Sequence, residues 1–151
     1  MRGIARGLLF ATGLAVVLGI EGALTGVVVR TILGLLDSDS YGGERAAFVK
    51  VMPTIVNAAF GGTLLLGVLS GANIIKYPLQ YLFRLSDEGW RKVALRSGWF
   101  FLVLAMLNEL VWRVLGEQAW VYFKVFGTLP IVIIFCASQI GVVNRQPPAD
   151  T

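Results

Sequence analysis

The chain has 151 residues and a mass of 16.4 kDa, with 56% hydrophobic residues, 15% charged residues and a mean hydropathy of +0.75. A soluble domain carries about 25% charged residues, and one this small buries only about two-thirds of its chain surface, so lipid is the expected solvent for much of the rest. There is no histidine and a single cysteine, Cys136, which excludes a Cys/His zinc site, a His-ligated haem, a Ser-His-Asp triad and an intrachain disulfide. The net charge of +4 comes from 13 Lys/Arg spread along an apolar chain. With no basic run interleaved with surface aromatics, nucleic acid is not an expected partner. No phosphate-binding or dinucleotide fingerprint occurs, and no cofactor is expected.

A helix needs ~20 apolar residues to span the hydrocarbon core. The first candidate span covers about residues 7–36. It opens with Arg2 and Arg6 before an apolar run, a pattern shared with secretory signal peptides. The apolar pattern resumes as far as Leu36, which favours a retained helix. Glu21 lies near its centre, where a carboxylate costs a few kcal/mol and has to be protonated, paired or turned towards protein. Arg30 comes nine positions later, and nine steps of ~100° bring it to the opposite helix face. The two cannot pair with each other, so Glu21 and Arg30 are candidate contacts for another helix or another membrane subunit. Arg30 is also near enough to Asp37 to reach the surface. Proton or ion transfer through Glu21 is the alternative.

The second span, about 51–75, is uncharged for 25 residues. Gly67 and Gly71 within it, like Gly22 and Gly26 in the first, have the spacing that lets helix backbones approach closely. Pro78 is expected to end or kink the helix. A basic and aromatic segment follows, in which Lys76, Arg84, Trp90, Arg91 and Lys92 are expected at lipid headgroup level, with anionic lipids as partners. Ser86, followed by Asp87 and Glu88, reads as the N-cap of the next helix.

The third span, about 95–115, carries Asn108, Glu109 and Arg113 near one end. Glu109 precedes Arg113 by four residues, the favourable order for a helical ion pair, and Trp112 and Trp120 flank the group. The fourth span covers about 122–144. With the N-terminus inside, the inner segments hold eight Lys/Arg and the outer segments three, Arg45, Lys50 and Lys124. That asymmetry predicts an N-in/C-in topology. The expected architecture is all-α: a single polytopic membrane domain over residues 1–151, with about four transmembrane helices and one interfacial segment.

Four blocks then carry a resemblance: Phe48 to Ala58, Leu85 to Val93, Phe100 to Arg113 and Trp120 to Gly127. Within them stand Gly-Trp-Arg, Ala-x-x-Asn-Glu-x-x-Trp-Arg and Trp-Val-x-Phe-Lys-Val-Phe-Gly. Together, over about residues 48–145, they resemble the bacterial inner-membrane YciB family, also called intracellular septation protein A. The resemblance implies an inner-membrane protein of cell-envelope maintenance and septation, with no catalytic activity and no cofactor. It maps the family's signature onto Lys50, Pro53, Trp90, Arg91, Asn108, Glu109, Trp112, Arg113, Trp120, Lys124 and Gly127. Span counting places Lys50, Asn108, Glu109, Arg113 and Lys124 near one membrane face, as a candidate polar cluster. Residues 1–47 form a helix and loop that do not align with these blocks. The alternatives to an envelope role are an accessory subunit of a respiratory or other energy-converting complex and a small proton or ion path. A mitochondrial inner membrane imposes the same physics as a bacterial one.

Overall fold

The computed structural model describes residues 42–80 and 85–144. The span expected at 7–36, with Glu21 and Arg30, and Arg84 of the interfacial segment lie outside the described residues. Every regular element among the described residues is helical: α1 Gly42–Leu69, α2 Lys76–Leu79, α3 Asp87–Leu110, α4 Gly116–Tyr122 and α5 Thr128–Asn144. Two π-helical segments, Val111–Leu115 and Phe123–Gly127, lie on either side of α4. Each is a widened turn of a kind common at functional sites.

Helix α1 ends at Leu69, although the uncharged run continues to Ile75. Gly71 has φ 79°, and its N–H bonds the Val68 carbonyl at 3.2 Å while the Ala72 N–H bonds the Gly67 carbonyl at 2.8 Å. This is a Schellman closure, in which a left-handed glycine satisfies the last carbonyls of a helix. Gly67 and Gly71 therefore terminate α1 and do not receive a neighbouring helix. The close crossing lies elsewhere: a Cβ on Gly61 would meet the Gly98 carbonyl at 2.7 Å, and one on Gly98 would meet Leu65 at 2.7 Å. The absence of both side chains lets α1 and α3 approach.

The α3 residues Trp90, Val93, Ala94, Ser97, Phe101, Leu104, Ala105 and Asn108 recur at helical spacing and are all buried. Trp90, Val93, Ala94 and Phe101 of this stripe belong to one core with Leu64 and Val68 of α1 and Cys136 of α5. Trp90, expected at headgroup level, is 1% exposed and belongs to that core. It sits on the i, i+3, i+4 stripe with Val93 and Ala94, so its position on the helix turns it inward. Ser86 caps α3 as its sequence predicts, accepting from the Gly89 N–H at 3.2 Å.

The stretch from Asp87 to Val142 is apolar and almost wholly helical for 56 residues, about 84 Å at 1.5 Å per residue, far beyond a hydrocarbon core of ~30 Å. It does not run straight. Gly116 adopts φ 86° and ψ −179°, a conformation essentially restricted to glycine. Beyond it the chain folds back, so that Phe100 and Phe135 stack with centroids 3.9 Å apart. In a continuous helix those rings would lie about 50 Å apart. The described residues thus supply three membrane-length helical passes: α1, α3 with its π-helical extension, and the return pass ending in α5. Large apolar side chains such as Leu66, Met106, Phe126 and Ile134 project outward, as lipid-facing positions require.

Candidate functional site

Pro53 lies inside α1, nearly two turns after Ala47, the first residue of its membrane-length stretch. Proline removes one backbone donor and crowds the preceding turn. In that turn the Lys50 carbonyl accepts a hydrogen bond from Asn108 Nδ2 at 2.8 Å, across from α3. The same Nδ2 donates to Thr54 Oγ1 at 2.8 Å, and Trp120 Nε1, beyond the hairpin, donates to Asn108 Oδ1 at 3.0 Å. Asn108 is 1% exposed, and all three of its bonds reach across to other segments.

The chain of bonds continues in one direction. Thr54 Oγ1 donates to Glu109 Oε1 at 2.7 Å, and Arg113 Nε donates to Glu109 Oε2 at 2.5 Å. The Arg113 guanidinium also lies 4.5 Å from the centroid of the Trp112 ring, a cation–π distance. On the other side of Asn108, Lys50 Nζ pairs with Glu117 Oε2 at 3.0 Å. Lys124 follows Trp120 by one turn, in the second π-helical segment, and is half-buried.

The structure therefore brings Lys50, Asn108, Glu109 and Arg113 to one end of the bundle, where Gly116 turns the chain. Thr54, Glu117 and the indole of Trp120 complete the network. Two bases face two acids, and the hydrogen-bond chain ends on the Glu109 carboxylate, which accepts from Thr54 and Arg113. Indole and amide N–H groups are held donors and do not relay protons. The arrangement is suited to tying α1, α3 and the return pass together.

At the opposite end, Lys76 Nζ pairs with Asp87 Oδ1 at 2.6 Å and Lys92 Nζ with Glu88 Oε1 at 2.7 Å. Two of the cations expected to meet headgroups thus have carboxylate partners on this chain. Arg91 is exposed on the first turns of α3. Among the described residues no group of three or more His, Cys, Asp or Glu is placed to hold a metal ion.

The family model described as intracellular septation protein A matches residues 23–150. The chain belongs to the intracellular septation protein A family. The match starts at residue 23, ahead of the blocks at 48–145 that carry the resemblance. Over 103 residues, 68% of this chain, it is 52% identical to the inner membrane-spanning protein YciB of Agrobacterium fabrum, covering 50% of that protein. Identity to the Rhizobium meliloti protein of the same name is 48% over 103 residues, covering 49% of it. For the Brucella suis protein it is 46% over 103 residues, covering 52%. The chain spans about half the length of the curated relatives it matches. No solved structure matches it. With this family, the helical passes and the apolar outer surface, the protein is a polytopic all-α membrane protein.

Proposed function

We propose that this member of the intracellular septation protein A family is a non-enzymatic protein of the bacterial inner membrane that serves envelope maintenance and septation through its shape and contacts. The observation that carries this reading is the closed network at the hairpin end. Its two acids pair with its two bases, and its amide spends both donors and an acceptor site on the chain itself. Such a site holds helices in place, with each of its two carboxylates engaged by a cation of the same chain. Names of relatives that place them in an inner membrane support the location, and the eight-to-three basic asymmetry of the sequence supports an N-in/C-in orientation.

The test is deletion of the gene in its own host, scored for septum placement, cell length and envelope permeability. Rescue by the wild-type chain is then compared with rescue by Glu109→Gln. If the protein acts by contacts, rescue follows the amount of folded protein in the membrane. A Glu109→Gln protein present at wild-type level yet wholly unable to rescue would point to chemistry at the carboxylate. Absence of any envelope or division defect would remove the septation role.

A further inference from the structure

Away from the polar network, α3 and α5 border an open groove of about 550 Å³. Its walls are Leu95, Trp99, Phe100, Val103 and Phe135, and Arg96 stands at one end. On a helix of ~100° per residue Arg96, Trp99, Phe100 and Val103 form one stripe, with Trp99 about 4.5 Å and Val103 about 10 Å further along the axis. Trp99 is 61% exposed, so this wall is open to whatever surrounds the bundle.

The register sets which end of the groove is polar. Phe100 stacks on Phe135 at 3.9 Å with the two helices antiparallel, so Arg96, four residues before Phe100, is level with Gln139, four residues after Phe135. At that level the exposed Ser138 presents a hydroxyl, which donates to the Phe135 carbonyl at 2.6 Å and accepts from Nε2 of the fully buried Gln139 at 3.0 Å. Below this level the groove is apolar and aromatic. It therefore has a charged, polar mouth and an apolar length, the polarity profile of a phospholipid.

Charge decides the headgroup. Lys76 and Lys92, at the same end of the bundle, are paired with Asp87 and Glu88. Arg96 makes no ion pair or hydrogen bond among the described residues. A guanidinium beside an apolar cleft matches a phosphodiester by planar, paired N–H···O bonds, and the tryptophan one turn deeper fits the boundary between headgroup and chains. A neutral helix seated in the groove would leave that cation without a counter-charge.

We propose that the groove between α3 and α5 binds one anionic glycerophospholipid, its phosphate on Arg96 and an acyl chain along Trp99, Phe100, Val103 and Phe135. This site is independent of the envelope role proposed above. The full chain in mild detergent is incubated with phosphatidylglycerol or phosphatidylcholine of identical acyl chains and examined by native mass spectrometry. Phosphatidylglycerol is expected to bind in preference, with one tight adduct per chain. Arg96→Gln should weaken that adduct about fivefold, the effect of removing one cation at a charged lipid surface. Arg96→Lys should retain most of it, and Arg91→Gln, a cation outside the groove, should leave it unchanged. Val103→Trp, which fills the groove and keeps the charge, should also displace the lipid, and serves if Arg96→Gln does not fold. Equal adducts of the two lipids, or wild-type binding in both Arg96→Gln and Val103→Trp, would overturn the proposal. So would a Trp99→Cys cross-link between two copies that forms equally well with phosphatidylglycerol in excess.

Discussion

Asn108 shows how much one amide can hold in a place water does not reach. Its three bonds join two helices and the segment beyond the hairpin. An interhelical hydrogen bond inside a membrane protein averages about 0.6 kcal/mol, so Asn108→Leu should cost roughly 2 kcal/mol, read as a lower unfolding temperature in detergent. Asn108→Asp should cost at least as much, because an acceptor would then face the Lys50 carbonyl. The Lys50–Glu117 pair makes the contrast: Glu117 is 70% exposed, and exposed ion pairs contribute about 0–1 kcal/mol. Glu117→Gln should shift the same unfolding curve far less. Measured costs in the reverse order would mean that charge, and not the buried amide, holds this end. Most of these residues are legible in the sequence as polar groups standing in apolar runs. Thr54 is not, since a threonine in a membrane helix is ordinary and its partners lie 54 and 55 positions away. Its only local mark is the four-residue step from Lys50.

For the helices, legibility divides between existence and ends. Apolar runs of membrane length are enough to place α1, α3 and the return pass, because burial in lipid asks only for composition. They do not show where α1 stops, since Ser70 to Ile75 is as uncharged as Val51 to Leu69 before it and the stop lies in the backbone of Gly71. Nor can spacing alone tell a packing glycine from a capping one. Gly67 and Gly71 have the packing interval and close the helix end, while Gly61 and Gly98, on different helices, make the crossing. Two adjacent glycines test this. A Cβ at Gly61 would meet the Gly98 carbonyl at 2.7 Å, whereas one at Gly62 would meet nothing within 4 Å. Gly62→Ile should leave folded yield unchanged, and Gly61→Ile should sharply reduce it on size-exclusion chromatography. Equal tolerance at both positions would dismiss the crossing. At the hairpin, Gly116→Ala forces a side chain into φ 86°, and should cost about 1–3 kcal/mol in the same thermal measurement.

At the scale of the whole molecule, the open quantity is which end faces the cytoplasm. The passes alternate, so the hairpin at Gly116 and the start of α1 lie at one end, and the turn after Leu69 with the start of α3 lies at the other. The hairpin end holds Arg45, Lys50, Arg113 and Lys124, and the opposite end Lys76, Arg91, Lys92 and Arg96. Arg113 is tied to Glu109, but topology is set by Lys/Arg near the span ends more than by net charge, and acidic residues count little. The second group, followed by Arg145 after the last pass, should therefore remain inside. Cysteine labelling in intact cells tests this with little background, because the native Cys136 is buried in the core. A cysteine in place of Gln118, exposed beside the hairpin, should react with a membrane-impermeant maleimide added outside. A cysteine in place of Ala72, in the exposed turn after α1, should react only after the membrane is opened. The reverse pattern would invert the orientation. Half-labelling of both sites in intact cells would mean that the chain inserts both ways, and that its Lys/Arg distribution does not fix a single direction.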